Sequence, residues 1–334
     1  MQAISIYSPN WDPYDSYGII ANNLAEHGGF HMNRLGEHRP EPNQIVPSFG
    51  GILLGYPTLY EKYPSLSRIG KRLAVTMFES TVLPEGWSDN LNRCGAVVVP
   101  ATWVADVFRD NEVCIPIHIV PLGINKIYLR ARRERRRSRP YTFLALGDRQ
   151  TRKGWDLAWH AFRSAFGNRS DVKLIIKCRA DGLEFISSAD ANVEILRTDL
   201  THEEMAKLYV SCDCMVFPTR GEGFGLPPRE FAATGGPVLV TRFAGTADNL
   251  DEWGYGIPYK LVEAWPEMAK YPEKLQGCGE WADPDVDVLI RQMKTFRECE
   301  HETFQAARIK RTYIAQRYDW QCFTDRVIEI YRSL

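Results

Sequence analysis

The sequence predicts an α/β protein built on parallel sheets. Apolar segments of strand length recur at residues 3–7, 51–55, 74–78, 95–99 and 117–120, with helix-length segments between several of them. After an arginine-rich run the alternation restarts with segments such as YTFLALG, VKLIIKC and CMVFPT. Strands separated by crossover helices indicate parallel sheets that are buried on both faces.

Two domains are expected because a chain of 334 residues exceeds the size at which one core usually stops growing. We predict a first domain over residues 1–128 and a second over residues 141–317. The arginine-rich residues 129–140 would link them. Residues 318–334 carry apolar side chains at helical spacing and are predicted to form a helix that packs back on the first domain.

The most informative segment is EGFGLPPRE, residues 222–230, which directly follows the apolar segment CMVFPT. A proline favours the first turn of a helix and a glycine its end, so Pro228 and Gly235 bracket a predicted short helix. Glu230 would lie near the start of this helix, and Glu222 would lie in the preceding loop. Loops at the carboxyl ends of strands are where open α/β sheets bind ligands, so both carboxylates are expected to face a crevice.

A second candidate segment, GDRQTRKG at residues 147–154, joins the predicted strand YTFLALG to a helix predicted from Trp155 to Phe166. A helix N-terminus presents unpaired N–H groups and a partial positive charge, and neighbouring cations complete a diphosphate site. Arg149 and Lys153 are placed to supply those cations. The alternative is that they are surface charges on an ordinary connecting loop.

With these segments the chain resembles the retaining glycosyltransferases of family 4, which have the GT-B fold of two facing Rossmann-like domains with the cleft between them. The resemblance includes GDRQTRKG, EEMAKLYVSCD and VFPTRGEGFGLPPREFAATGGPVLVTRFAGT in the second half. In the first half it includes WSDNLNRCGAVVVPATW and IVPLGIN. It implies a hexosyltransferase that moves a sugar from a nucleotide diphosphate to a hydroxyl acceptor.

The resemblance also implies roles for individual residues. Glu230 would hold the ribose hydroxyls of a UDP- or GDP-sugar, and Arg149 with Lys153 would neutralise the diphosphate. Glu222 and the backbone of three residues would face the donor sugar and phosphates; these three are Phe224, Gly225 and Leu226. No permanently bound cofactor and no metal ion would be required.

The chain departs from the family pattern in three places. Relatives commonly have arginine where Asp148 stands, so either Arg149 or Arg152 would reach the diphosphate. The glycine-rich loop before the first helix is reduced to Gly18, which either gives its N–H to the donor phosphate or only begins the helix. In place of a histidine after an early strand the chain has TMFEST, where Glu79 is a candidate contact for donor sugar or acceptor, or else a satisfied polar residue at a strand end.

The net charge of −1 conceals a basic run, because residues 130–139 hold seven arginines against one glutamate. A solvated linker is the ordinary interpretation of such a run. Phosphate contacts with nucleic acid are the alternative, and they would suit a transferase that modifies a hydroxymethylated base in DNA. The arginines that would make these contacts are Arg130, Arg132, Arg133, Arg135, Arg136, Arg137 and Arg139.

No apolar segment is long enough to span a membrane and no secretory signal is evident, so a cytoplasmic protein is expected. The close pair Cys212 and Cys214 has no nearby histidine, which favours buried free thiols over metal ligands.

The alternative to a glycosyltransferase, from a different functional class, is a protein that binds nucleotide-sugars without catalysis.

Overall fold

The computed structural model describes residues 4–8, 11–34, 50–58, 66, 69–131, 133, 140–147, 151–180, 190–264 and 279–334, with the backbone alone for 31–34. The chain divides into two compact units. The first comprises Met1–Gly123 together with Tyr318–Leu334, and the second comprises Ile124–Arg317.

The first unit contains a six-stranded sheet in the order β2-β1-β3-β4-β5-β6, and every neighbouring pair is parallel. The strands are β1 (Ser5–Ser8), β2 (His31–Arg34), β3 (Gly50–Leu54), β4 (Lys71–Val75), β5 (Ala96–Val99) and β6 (Ile117–Ile119). The helices of this unit are α1 (Ser16–Gly28), α2 (Trp87–Leu91), α3 (Thr102–Asp110) and the C-terminal helix α11 (Trp320–Ser333).

The second unit contains a six-stranded parallel sheet in the order β12-β11-β10-β7-β8-β9. The strands are β7 (Tyr141–Leu146), β8 (Val172–Cys178), β9 (Val193–Arg197), β10 (Cys214–Phe217), β11 (Val238–Thr241) and β12 (Tyr255–Ile257). An antiparallel pair adds β13 (Tyr259–Glu263) and β14 (Glu280–Pro284). The helices are α4 (Lys126–Arg130), α5 (Trp155–Phe166), α6 (His202–Ser211), α7 (Leu226–Ala233), α8 (Leu250–Trp253), α9 (Val286–Glu298) and α10 (Glu300–Arg317).

The apolar segments form strands because both faces of each sheet are covered. All four residues of β5, β10 and β11 are buried, as expected for central strands of a parallel sheet. In the second unit, helices α5 and α9 pack together on one face and contribute Phe162 and Met293 to a core that also holds Phe143 of β7. Cys212 and Cys214 are buried and form no disulfide with the described cysteines.

Helix α11 completes the first unit although it lies at the end of the chain. Its side chains Trp320, Phe323, Val327 and Ile330 are buried, and the helix packs against α1. The chain leaves this unit at Gly123, where a Cβ atom would come within 2.3 Å of the backbone nitrogen of Trp320. Only glycine allows the outgoing and returning segments to approach so closely.

Residues 124–128 lie in the second unit, whereas the sequence analysis assigned them to the first domain. Helix α4 packs against α6 and α7. Within these contacts the Tyr128 ring lies 5.5 Å from the Tyr209 ring. Because Tyr128 is almost fully buried in this way, the helix belongs with the second unit.

The strand orders fix where each sheet can bind a ligand. In the second unit the order reverses between β7 and β10, so the loops that follow these two strands diverge and leave a crevice at the carboxyl edge. In the first unit the reversal lies between β1 and β3. The two segments singled out in the sequence, 147–154 and 222–230, follow β7 and β10.

Candidate active site

Three loops meet at the carboxyl edge of the second sheet, and glycines allow them to touch. A Cβ atom on Gly154, after β7, would lie 1.9 Å from the carbonyl oxygen of Pro218, after β10. A Cβ atom on Gly245, after β11, would lie 2.1 Å from the oxygen of Gly223. The Gly245 nitrogen donates a 2.8 Å hydrogen bond to the Glu222 carbonyl. The EGFG loop is therefore held between two neighbouring loops.

Arg229 holds the same loop from the inside. Its guanidinium donates hydrogen bonds to the carbonyl oxygens of Phe224 and, at 2.9 Å, of Gly245. The guanidinium lies between the rings of Phe224 and Trp253, 4.1 Å and 4.5 Å from their centroids. Sequence reasoning missed this residue, because an arginine in the first turns of a short helix carries no signal that it is fully buried.

Glu222 forms an ion pair with two cations of the loop after β7. Its Oε1 atom accepts a hydrogen bond from Lys153 Nζ at 2.6 Å and from Arg152 at 3.2 Å. Burial by itself raises the pKa of Glu222, but the charges and hydrogen bonds of Lys153 and Arg152 outweigh it and hold the pKa below its ordinary value. Lys153 and Glu222, which were predicted as separate site residues, are thus in direct contact, and Glu222 is ionised at neutral pH.

Lys153 and Arg152 differ in accessibility. Arg152 is buried and also donates a hydrogen bond to the carbonyl of Gly221. The Lys153 side chain keeps 20% of its surface exposed. An ammonium group has three donors, so Lys153 can hold Glu222 and an incoming anion together. Arg149, the other cation expected at the diphosphate, lies outside the described residues.

Glu230 has a different environment on helix α7. It is buried, and its Oε2 atom accepts a 3.2 Å hydrogen bond from the hydroxyl of Tyr209. Burial raises its pKa to about 7, because the Tyr209 hydrogen bond and the attraction of Lys177 on β8 offset only part of the desolvation. In the part of the chain that the structure describes, no cation forms a salt bridge with Glu230. A ligand that supplies hydroxyl donors would satisfy this carboxylate.

The start of α7 provides the backbone groups that the sequence analysis expected near the donor. Gly225 caps the helix with φ of 82°, a left-handed conformation that favours glycine, and Leu226 begins the helix. No side chain caps this N-terminus. Phe224 and Leu226 are buried, so the contribution of the two residues to a ligand would come from their backbone N–H groups.

Two further predicted contacts belong to the first unit. Gly18 lies in the first turn of α1, where a Cβ atom would be 1.9 Å from the Asp12 carbonyl oxygen, so the close approach of the preceding loop requires glycine there. Glu79 follows β4 at the carboxyl edge of the first sheet. Burial is the main cause that raises the pKa of the Tyr17 hydroxyl, and the charge of Glu79 raises it further. Neither residue is part of the second unit, in which Lys153, Glu222 and Glu230 lie.

The alternative of a phosphate contact through Arg133 does not fit the structure, because this side chain is hydrogen-bonded within the second unit. Its guanidinium donates to the carbonyl oxygens of Cys212 and Tyr209 and to the Thr234 hydroxyl, and it lies 4.4 Å from the Phe231 ring centroid. Burial lowers its pKa to about 10. Arg130 is exposed. The other five arginines of the run lie outside the described residues.

Within the described ranges, no group of three or more histidine, cysteine, aspartate or glutamate side chains is arranged to hold a metal ion. Among the same residues, none of the helices has the length and apolar character needed to cross a membrane.

The fold is that of the GT-B glycosyltransferases. The structure is similar to sucrose-phosphate synthase from Thermosynechococcus elongatus, with a TM-score of 0.68 and 15% identity over 100% of this chain and 99% of that chain. It is also similar to Anabaena Alr3699/HepE in complex with UDP and glucose, with a TM-score of 0.69, 13% identity and full coverage of both chains. These similarities assign the fold.

The family follows from the sequence itself. Residues 101–327 match the model of the family described as "Family 4 Glycosyltransferase in conflict systems". This match extends over more than half of the chain, and the chain belongs to that family.

Curated relatives match shorter stretches. The D-inositol 3-phosphate glycosyltransferase of Corynebacterium urealyticum is 29% identical over 132 residues, 40% of this chain and 26% of that protein. The MMP alpha-(1->4)-mannosyltransferase of Mycolicibacterium hassiacum is 29% identical over 152 residues, 44% of this chain and 36% of that protein. The matched region thus spans less than half of either relative.

Proposed function

We propose that this protein is a retaining glycosyltransferase that moves a sugar from a nucleotide diphosphate to a hydroxyl acceptor and needs no metal ion. The observation that carries the proposal is that two different groups lie at the same strand-order reversal. One is a cation partly open to solvent, and the other is a buried carboxylate that lacks a cationic partner among the described residues. Lys153 is that cation, and Glu230 is that carboxylate. The complexes of HepE with UDP and glucose and with UDP-glucose support the choice of donor class.

In this mechanism the donor's ribose hydroxyls donate hydrogen bonds to Glu230, which fixes the nucleotide. Lys153, Arg149 and the N–H groups at the start of α7 stabilise the negative charge that accumulates on the leaving diphosphate. Glu222 orients Lys153 and faces the donor sugar. Gly18 and Glu79 of the first unit contact donor phosphate and donor sugar or acceptor, respectively. No side-chain nucleophile is assigned.

Calorimetric titration with UDP- and GDP-sugars tests the donor role. Glu230→Ala is expected to weaken binding at least about tenfold, since hydrogen bonds to a charged group are lost. Glu252→Ala, which removes an exposed glutamate of the short helix α8, is the matched control and should leave affinity unchanged. Equal affinity in wild type and Glu230→Ala would contradict the proposal.

The finer parts of the proposal have their own readouts. The anomeric configuration of the product, read by NMR, tests retention, and turnover measured in a chelator tests metal independence. A protein that only binds donors is the second candidate, since Asp148 and Glu79 replace residues common in relatives. Slow hydrolysis of donor to free sugar, lost in Glu222→Ala, would exclude that candidate.

The acceptor proposal includes modified DNA, because residues 130–139 carry a net charge of +6. Neutralising Arg135, Arg136 and Arg137 together should weaken binding to duplex DNA and flatten its salt dependence by about 2.7 in the log–log slope. Arg133 has to stay, since removing it would disturb the second unit. If the protein does not bind duplex DNA at low salt, DNA is excluded as the acceptor, and glycan, lipid or small-molecule acceptors are left.

A further inference from the structure

The Glu230 carboxylate lies against two buried tyrosines. Tyr209, on helix α6, is fully buried and donates its hydroxyl to Glu230 Oε2 at 3.2 Å. Tyr128, on helix α4, is 1% exposed, and its hydroxyl shares a 2.7 Å hydrogen bond with Nδ1 of His202. The two tyrosine rings pack with centroids 5.5 Å apart, and the Tyr209 ring packs at the same distance on Phe231. Glu230 therefore extends from α7 against a packed cluster of aromatic side chains.

The two carboxylate oxygens of Glu230 differ in their hydrogen bonds. Oε2 is held by Tyr209, and no described residue donates a hydrogen bond to Oε1. A carboxylate that accepts a ribose diol needs its oxygens held at a fixed angle to the sugar. We propose that Tyr209 is a positioning residue, which orients the Glu230 carboxylate so that Oε1 accepts from the 2′- and 3′-hydroxyls of a nucleoside diphosphate. This inference rests on the donor role proposed for Glu230.

Other ionisable groups around Glu230 do not replace Tyr209. Lys177 on β8 attracts the carboxylate without a salt bridge among the described residues. His202 is partly buried and its pKa is lowered by that burial, so the ring is neutral at neutral pH. The guanidinium of Arg229 contacts Phe224 and Gly245, and that of Arg133 contacts Cys212 and Tyr209 backbone. The hydroxyl of Tyr209 is thus the donor that fixes Glu230.

The test compares nucleotides with and without the ribose hydroxyls. Whichever of UDP, GDP and ADP binds the full-length protein most tightly is titrated alongside its 2′,3′-dideoxy analogue. Tyr209→Phe removes one oxygen atom and should weaken the nucleoside diphosphate about tenfold. Binding of the dideoxy analogue should stay within about twofold, because it has no hydroxyl for Glu230 to hold. A purely structural role would weaken both nucleotides equally and overturn the proposal.

The pH dependence gives a second readout that packing alone would not move. Affinity for the corresponding nucleotide-sugar, whose phosphates do not titrate near neutrality, should fall as pH drops through about 7 in the wild type. The Tyr209 hydrogen bond favours the charged carboxylate, so Tyr209→Phe should move this midpoint to higher pH. Tyr141→Phe, at a buried tyrosine that begins β7, is the control and should keep the midpoint. An unmoved midpoint in Tyr209→Phe contradicts the proposal.

Further variants separate this inference from the proposed function. Glu230→Asp withdraws the carboxylate from Tyr209 and should show the same loss, selective for the ribose hydroxyls, even if Tyr209→Phe folds poorly. If Glu230→Gln loses that selectivity while Tyr209→Phe retains it, the positioning role is wrong and the donor role stands. If the wild type binds none of the three nucleotides, the proposed function itself is wrong.

Discussion

Glu222 lies in the loop before helix α7 and Glu230 lies in that helix, and their surroundings shift their pKa values in opposite directions. Both are buried, but Glu222 has two cations on one oxygen whereas Glu230 has a tyrosine hydroxyl. The first pKa is lowered and the second is raised to about 7. A carboxylate whose pKa is raised by folding loses stability as pH rises from its unfolded pKa to its folded pKa. One whose pKa is lowered by folding loses stability as pH falls from its unfolded pKa to its folded pKa.

Glutamine substitutions should therefore affect stability with opposite signs near pH 8. Glu230→Gln is expected to raise the free energy of unfolding by about 1–2 kcal/mol, because the uncompensated buried charge is removed. Glu222→Gln is expected to lower it by at least about 2 kcal/mol, because Lys153 and Arg152 lose their counter-ion. Urea unfolding followed by tryptophan fluorescence measures both.

Measurement at acidic pH is the control for these two glutamine substitutions. Near pH 4 Glu230 is protonated in both the folded and unfolded states, so the gain in Glu230→Gln should disappear. Destabilisation by Glu230→Gln at pH 8 would show that the carboxylate has a stabilising partner and would contradict the account given for its pKa.

The sequence predicted the polar part of the site better than its support. Lys153, Glu222 and Glu230 are found at the expected edge because their types and spacing reflect strand, loop and helix signals. Arg229 and Tyr209 were missed, since their roles depend on which helix packs against which. An arginine between Pro228 and Glu230 looks like surface charge until the fold places Phe224 and Trp253 on either side of it.

Helix α5 shows at the level of an element how local signals and tertiary contacts combine. Its observed bounds, Trp155–Phe166, coincide with the predicted helical stretch, because the apolar periodicity is strong and glycines stand at both ends. Both flanking glycines have positive φ, 71° at Gly154 and 55° at Gly167. Only Gly154 also lies against another loop.

Alanine at these two glycines separates backbone strain from loop packing. Gly167→Ala has no atom within 4 Å of the new Cβ, but φ of 55° with ψ of −133° is open to glycine almost alone, so backbone strain should cost about 2–3 kcal/mol. Gly154→Ala has an ordinary left-handed conformation but clashes with the Pro218 oxygen, so it should cost about 3 kcal/mol and also weaken donor binding. Thermal unfolding and calorimetry measure the two effects. Donor binding that weakens equally in both variants would exclude a role for the loop contact.

Other elements could not be predicted from local pattern. Strands β12 and β13 come from the mixed stretch YGIPYKLVE, which has neither a clear alternation nor a long apolar run. Strand β4 lies at Lys71–Val75, a few residues before the predicted apolar segment 74–78, since pairing with β3 fixes its register. Helix α4 was assigned to the end of a domain and a linker because five residues give no periodic signal.

At the scale of the whole molecule, the two ends of the chain share one core. Phe323→Ala should cost about 3 kcal/mol or more, since a buried aromatic ring is lost from the first unit. Hydrogen exchange should accelerate in peptides from α1 and β4, which α11 contacts. Phe162→Ala, in the core of the second unit, is the matched control and should accelerate exchange in β7 and β8 instead. Faster exchange confined to the C-terminal helix would contradict the assignment of α11 to the first core.

The close approach of Gly123 and Trp320 makes the second unit a removable cassette. One uninterrupted segment, Ile124–Arg317, forms that unit, and the chain on either side of it returns to the same point of the first unit. A short linker could therefore join residue 123 to residue 318, and the segment could be exchanged for that of a relative without cutting the first sheet. In this architecture the second unit can be recombined as a single block of sequence.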